Sequence, residues 1–543
     1  MCGIWCGDGD VPLQWLERRG PDHCGVAAIP ASPLRLAASV LHVRGRVPTT
    51  QPAVCDNGDL LAFNGELFDD DAVPSGESDT TFLRDVLREC RGDPAEIARS
   101  LSRVRGPFAI VYYAHASRRL FLCRDMLGRR SLLTRQQPFA IASVADGASS
   151  QWRELPCTGV FWRSVDDDGN DDAKGVTLEP WPHVRGEAQL GADPVLPVMP
   201  MPSLKQPPHM ELLERLLRSV RRRTTLLDRQ VDGAPIGILF SGGLDCTVLA
   251  ALADRCLPTG CPIDLLNFAF GSSPLAVPDR QTALNALVEL RRCCPGREYR
   301  LVAIDVTLED VRNEAQRLAA LLHPHRTVMD MNLGAVLWFS SRGRGRVLHD
   351  SGHTTLIQSA HCRYVGDGGD GQFGNAVDLY GSDDLWRPYT SASRVLLSGL
   401  GADELFGGYG RHRTAFRRGG WPEAAREIDA DFRRLHRRNL GRDDRLCADH
   451  GRDTLYPYLD RDVHGFVRAL DLKQVARLDA AGGDKRILRQ AAAELGLHHV
   501  ARLQKRAIQF GTRIANRKVP GTQPLDLDDL HAQLGNITRI VPV

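Results

Sequence analysis

The sequence has almost no net charge, no long apolar run and no paired cysteines, and each absence removes a class of protein. Against 69 Lys+Arg stand 67 Asp+Glu, a net charge of +2. So small an excess argues against a general nucleic-acid or polyanion binder. No apolar run approaches the roughly 18 residues needed to cross a bilayer, so no membrane partner is expected. The first ten residues, MCGIWCGDGD, show no basic region followed by an apolar stretch. No secretory signal is expected from them, and a cytoplasmic protein is. The 14 cysteines form no C-x-x-C pair. They read as free thiols, and a zinc site built on paired cysteines is not expected. There is no internal repeat.

What is present is a soluble globular composition, 43% hydrophobic and 25% charged over 543 residues. At roughly 100 to 200 residues per domain, two or more domains are expected. The stretch PVLPVMPMPSLKQPP (194–208) is too rich in proline for helix or central strand. It places a linker at 191–209, between domains at 2–190 and 210–520, with a tail at 521–543. A Gly/Asp-rich stretch near 361–390, inside an insertion at about 344–393, reads as a solvated surface loop.

Short apolar runs before the linker (LAASVLHV, LLAFNG, FAIVYYA, RLFLCRD) read as strands. Ser78 and Asp79 precede an amphipathic helix closed by Gly92. After the linker, helix MELLERLLRSVRRR, strand PIGILF, helix CTVLAALADRC and strand DLLNFAF alternate. Helix TALNALVELRRC, strand RLVAIDV, helix EDVRNEAQRLAALL and strand RVLLSG follow. That alternation predicts a doubly wound parallel sheet, with a mostly helical part beyond residue 420.

Two places carry chemistry. Loss of the initiator Met would leave Cys2 with a thiol and a free α-amine. The amine has an ordinary pKa of about 7.7 to 8.0 and can take the thiol's proton near neutral pH. Arg19-Gly20-Pro21-Asp22, His42-Val43-Arg44-Gly45, Gln51-Pro52, Asn64-Gly65-Glu66-Leu67-Phe68, Ser78-Asp79-Thr80 and Arg124-Asp125 with Gly128 follow in order. This series resembles the glutaminase domain of class II glutamine amidotransferases, in its asparagine-synthetase form. The resemblance implies that Cys2 attacks the side-chain amide of glutamine and forms a thioester. Asn64 and the Gly65 N–H would then bind the oxyanion. Arg44 would pair with the substrate carboxylate, and Glu66 and Asp79 with its ammonium. From the residues alone, Asn64-Gly65 is also a hairpin turn signal and Asp79 also a helix cap.

The second place is Ser241-Gly242-Gly243-Leu244-Asp245-Cys246, between a buried strand and a helix. Small residues there let backbone N–H groups approach an anion at a helix N-terminus. A carboxylate in such a loop makes sense with a bridging cation, so Asp245 points to Mg²⁺. There is no G-x-x-x-x-G-K-[ST]. The loop resembles the pyrophosphate loop of ATP pyrophosphatases. Residues 210–520 resemble the synthetase domain of the asparagine synthetase family, and the blocks LHVRG, PIDLLNFAF, AVLWFSSRG, NLGRDDR and QKRAIQFG resemble its divergent eukaryotic branch. The resemblance implies nucleotide contacts at Leu239, Ser241, Gly242, Gly243, Asp245, Cys246, Phe270, Ser398 and Gly399. Asp403-Glu404 continue the Ser398-Gly399 motif, and Lys505 would neutralise phosphate charge.

The implied fold is a two-domain α/β protein. An Ntn-type αββα glutaminase sandwich precedes a doubly wound parallel ATP-pyrophosphatase (PP-loop) domain with a helical C-terminal part. The implied activity is a glutamine-dependent, ATP-consuming amide ligase acting with Mg²⁺ on aspartate or a related acid. Two departures bear on it. Leu400 stands where the family has a glutamate that acts as base, and leucine cannot move a proton. Cys246 replaces the loop serine. Two alternatives follow: a divergent member that has lost asparagine synthesis and acts as a glutaminase or regulatory protein, and a pyrophosphate-loop enzyme on RNA. The second alternative rests on Arg433, Arg434, Arg437 and Arg438, against the near-neutral charge. The oligomeric state is left open, a homodimer among the choices.

Overall fold

The computed structural model describes residues 2–515 apart from 46, 69–77, 146–150, 166–174, 185–193, 195, 197–203, 226–232, 326, 349–382 and 481. Most of the expected linker, most of the Gly/Asp-rich stretch and the tail at 521–543 lie outside the described residues.

The first half forms two stacked antiparallel sheets. One contains β1 (Gly3–Gly7), β2 (His23–Ala28), β3 (Arg35–Val40), β8 (Leu133–Gln136), β9 (Phe139–Ala142) and β10 (Arg153–Glu154), in the order β10-β8-β9-β1-β3-β2. The other contains β4 (Ala53–Val54), β5 (Leu60–Gly65), β6 (Phe108–Ala114), β7 (Arg119–Arg124), β11 (Gly159–Ser164) and β12 (Thr177–Pro180), in the order β12-β11-β7-β6-β5-β4. Strand alternation sorts the side chains. Leu60 and Ala62 join Ile4, Leu36 and Val111 between the sheets. Leu61 and Phe63 face α2 (Asp79–Glu89) and α3 (Pro94–Arg103) through Leu83, Leu87, Ile97 and Leu101. The outer face of the first sheet packs Trp5 and Ala37 on Leu16 of α1 (Leu13–Arg19). Covering on both faces explains why FAIVYYA is apolar throughout and buried at every position.

The second half is built on a seven-stranded sheet, β17-β16-β15-β14-β13-β18-β19. Its strands are β13 (Ile236–Leu239), β14 (Ile263–Phe270), β15 (Tyr299–Val306), β16 (Arg344–Leu348), β17 (Trp386–Thr390), β18 (Val395–Leu397) and β19 (Asp453–Leu455). β15, β14, β13, β18 and β19 run parallel. On one face lie α4 (Pro208–Thr224), α5 (Leu244–Asp254) and α6 (Pro278–Cys293). On the other lies the helix Val328–Arg342. The strand order reverses between β13 and β18, which opens a crevice at their C-terminal ends.

Two details differ from the sequence-based expectation. EDVRNEAQRLAALL forms two helices, Leu308–Asn313 and Ala315–Leu322, because Thr307 caps the first in a capping box and the chain restarts at Glu314. The stretch 361–390 does not end as loop. Its last residues are β17, which with β16 adds an antiparallel edge to the parallel sheet. The apolar Trp386 is buried there and supplies the reason. Among the described residues no helix is long and apolar enough to cross a membrane.

A buried ionic seam joins the halves. Arg19 meets Asp444 at 2.7 Å, Arg130 meets Asp453 at 2.7 Å, and Arg445 meets Glu154 at 2.8 Å. The Arg19–Asp444 pair is almost wholly excluded from water, and Ser131 N–H donates to the same Asp444 carboxylate at 3.2 Å. Removing one partner strands a buried charge. Asp444→Ala is therefore expected to cost about 3–5 kcal/mol of stability in urea denaturation.

Candidate active sites

The first site lies at the start of β1. Cys2 N–H donates to Asn64 Oδ1 at 3.0 Å, which ties the beginning of β1 to the end of β5. Asn64 is fully buried, and among the described residues its Nδ2 has no partner. An amide donor without an acceptor is costly inside a protein. Cys2, Arg44, Gly65, Glu66 and Asp79 line one pocket with Gln51 and Thr80. Gln51 Nε2 donates to Cys2 Sγ at 3.7 Å while its Oε1 accepts from Phe63 N–H at 2.7 Å, so the amide is oriented from two sides. Asp79 does not cap α2; Ser78 does, accepting from Thr80 N–H. The Asp79 carboxylate instead accepts from Leu67 N–H at 2.7 Å and pairs with Arg44 at 2.8 Å. Burial raises the Glu66 carboxyl well above its ordinary range, with Asp79 adding to the effect. Burial likewise raises the Cys2 thiol, so this cysteine needs a proton acceptor to become a nucleophile.

The second site lies in the crevice between β13 and β18. The loop after β13 turns at Gly242, φ +77°, where a Cβ would stand 2.4 Å from Ala283 N. Only glycine allows α6 to approach so closely. Ser241 Oγ accepts from Gly243 N–H at 3.3 Å, and the Cys246 thiol donates to Gly243 O at 3.4 Å. The thiol thus stays with the loop backbone. The segment after β18 crosses directly over Asp245: a Cβ on Gly399 would lie 3.0 Å from the Asp245 Cβ. Leu239 and Phe270 end adjacent strands and pack into one apolar cluster. Ser398 Oγ accepts from Leu400 N–H at 3.3 Å, and the Leu400 side chain rests on the apolar core.

The residue missed from sequence is Lys485. Its Nζ donates to both Asp245 oxygens, at 2.6 and 2.8 Å, and lies 2.8 Å from Asp403 Oδ1. Lys505 meets the other Asp403 oxygen at 3.2 Å and lies 4.2 Å above the Tyr409 ring. Burial opposes charge here. The two lysines nevertheless hold the Asp403 carboxyl below its ordinary value, and the two aspartates hold the Lys485 ammonium charged. Next to them Glu404, pushed up to about 7 by burial and by Asp403, accepts from Tyr409 O–H at 2.5 Å. No periodicity or spacing marks Lys485, which stands in the loop GGDK far from Asp245 in sequence. Among the described residues no group of three or more His, Cys, Asp or Glu could hold a metal ion. Two hard carboxylates, Asp245 and Asp403, do suit a Mg²⁺ ion that takes its other ligands from phosphates and water.

Asp279 lies in the first turn of α6, against Gly511, and burial raises its carboxyl to about 7. The unfolded chain ionises this group near 3.9, so its contribution to stability is full below about pH 4 and is lost as pH rises to about 7. Asp279→Asn is expected to stabilise the protein at pH 8 by about 4 kcal/mol and to change nothing at pH 4. Denaturation measured across this range checks it.

Two of the four arginines that suggested RNA, Arg433 and Arg434, are paired locally. Arg433 meets Asp429 at 2.7 Å and Arg434 meets Asp431 at 3.0 Å.

Comparison with known proteins agrees with this division. A family model described as "Glutamine amidotransferase domain" matches residues 40–147, and one described as "Asparagine synthase" matches 387–429 and 417–518. Asparagine synthetase domain-containing protein 1 of Bos taurus is 31% identical over 95% of this chain and 96% of its own length. The Homo sapiens protein of that name is 31% identical, covering 95% of each chain. An asparagine synthetase domain-containing protein of Drosophila melanogaster is 30% identical over 97% of this chain and 100% of its own. Among solved structures, the glutamine phosphoribosylpyrophosphate amidotransferase of B. subtilis gives a TM-score of 0.26 at 14% identity, over 49% of this chain and 66% of that one. A score so low carries no argument. The relatives match along nearly their whole length, and the chain therefore belongs to the asparagine synthetase domain-containing protein family, with a glutamine amidotransferase domain followed by an asparagine synthase domain.

Proposed function

We propose that the protein hydrolyses glutamine at Cys2 and uses the ammonia, with ATP, to form an amide on aspartate or a related acid. The observation that carries the first half is Asn64, whose Oδ1 holds Cys2 N–H while its buried Nδ2 has no partner among the described residues. The thiolate of Cys2 attacks the substrate amide carbon, and Asn64 Nδ2 with the Gly65 N–H takes the oxyanion. The α-amine, freed on Cys2 when Met1 is removed, accepts the thiol proton and returns it to the leaving ammonia. The unshared nitrogens of Arg44 take the substrate carboxylate in a fork, and Glu66 with Asp79 takes its ammonium. Asn64→Ala is expected to lower kcat for glutamine hydrolysis about 10²- to 10³-fold with little change in KM.

In the crevice between β13 and β18, the loop Ser241–Cys246 and Ser398-Gly399 bind the nucleotide phosphates. Leu239 and Phe270 flank the base, and Lys505 neutralises charge as the acid attacks the α-phosphorus and pyrophosphate leaves. Asp245 and Asp403 would hold Mg²⁺, which neutralises the phosphate oxygens when bound. Product mass spectrometry after incubation with glutamine, aspartate, ATP and Mg²⁺ tests the whole reading. Pyrophosphate and AMP with only a low yield of asparagine are expected, since Leu400 supplies no base; glutamate and ammonia alone would leave only the glutaminase.

That second outcome is a reading in its own right, favoured by Leu400. With its side chain on the apolar core, no carboxylate stands at the position where the family places its base. The protein then acts as a glutaminase or a regulatory partner.

A further inference from the structure

We propose that Lys485 is a built-in counter-cation of the nucleotide site, which excludes a free divalent metal and releases its carboxylates only to metal arriving with phosphate. The inference rests on the nucleotide reading above and assigns a residue to it. Lys485 engages both oxygens of Asp245 and one of Asp403, the same oxygens a divalent cation would use. Its side chain is only 3% exposed. Its backbone is fixed as well: Lys485 N–H donates to Phe406 O at 3.0 Å, and φ of +54° turns the chain into the helix Arg486–Glu494. The ammonium is therefore delivered to this point by two elements and has little freedom to leave it.

Charge balance decides what can replace it. Two carboxylates, Asp245 and Asp403, face two ammonium groups, Lys485 and Lys505, so the cluster is neutral. A metal ion entering alone would add two buried positive charges and displace Lys485 with no anion to receive it. It would also shed water that Mg²⁺ gives up reluctantly. A metal ion entering with a polyphosphate brings its own negative charge. The displaced ammonium then moves to a phosphate oxygen within the same crevice, and no charge is left unpaired. Lys485 thus keeps two repelling carboxylates together before the nucleotide arrives and binds the nucleotide afterwards.

Mn²⁺ serves as the probe, its free form counted by electron paramagnetic resonance on the full chain without nucleotide. Native protein is expected to take up no Mn²⁺ at this site. Lys485→Gln, which leaves the carboxylates unneutralised, should gain one Mn²⁺ site at least about tenfold tighter than anything native protein shows. Lys485→Arg should exclude Mn²⁺ as native protein does. Native protein that binds Mn²⁺ alone as tightly as Lys485→Gln overturns the inference, as does a folded Lys485→Gln that gains no site. Should Lys485→Gln fail to fold, the native measurement decides: exclusion supports the inference and stoichiometric uptake overturns it. Calorimetry of native protein with Mg²⁺-ATP separates the two levels. No binding there sinks the nucleotide reading itself, whereas Mg²⁺-ATP binding together with uptake of Mn²⁺ alone sinks only the role of Lys485.

Discussion

Cys2→Ala is expected to bring glutamine hydrolysis to background, a loss of at least about 10⁴-fold, because a removed nucleophile has no substitute in its pocket. Cys2 is the only thiol among the described residues lining that pocket. Its backbone N–H fastens β1 to Asn64, and that bond survives the substitution. The fold should therefore persist, which a thermal melt checks. Release of glutamate and ammonia is the measurement. A Cys2→Ala protein that hydrolyses glutamine at the native rate removes the assignment. Intact-mass analysis supplies a second test. The buried thiol is raised above its ordinary value, and the proposed proton acceptor, an amine on Cys2, exists only after Met1 is cleaved. A fully active protein that retains Met1 would show that another group takes the proton.

Leu400→Glu should raise amide formation about 10²- to 10⁴-fold, the range a general base contributes, without tightening ATP binding. Native protein is expected to adenylate the acid and to show acid-dependent pyrophosphate exchange, yet to make little amide. Adenylation calls on Lys505 and a metal at Asp245, whereas amide formation also has to remove a proton from the attacking ammonia. The geometry adds a condition. Leu400 rests on the apolar core beside Ser398, so a carboxylate placed there is partly desolvated and its pKa rises. The gain should therefore be larger at pH 8 than at pH 6, and a melt must show that the variant folds. Unchanged amide formation in a folded variant would place the base elsewhere. Glu404, near 7 and bonded to Tyr409, is the next group to replace.

The residues of the first pocket could be picked out because they sit in short motifs whose order along the chain is characteristic. Cys2, Asn64 and Asp79 could be named from sequence, and the structure gathers them at the ends of β1, β5 and the start of α2. Partnerships were less legible. Asp79 reads as a helix cap from its place before an amphipathic run, yet Ser78 takes that bond and leaves the carboxylate to Arg44 and Leu67. In the second site, Ser241 to Gly243 were readable as a turn after a buried strand, and Asp245 stands in the first turn of α5. Lys485 was not readable, since the lysine and its two aspartates come from three separate segments. The edge strand β17 escaped notice because it is only five residues long and contains Pro388, while its partner β16 lies across a long stretch of chain.

The sequence alone determined the alternation of strands and helices, because hydrophobic periodicity is a local property that each segment carries by itself. It also determined the small residues of the turn after β13, since only glycine adopts φ of +77° against the backbone of α6. The tertiary structure decided which charges meet. Arg19 finds Asp444 and Lys485 finds Asp245 across hundreds of residues, and the first pair and the Lys485 ammonium are excluded from water by cores that no local pattern specifies. Burial then made these pairs matter, because a charge that would be screened at the surface must be matched inside, and matching depends on the whole fold.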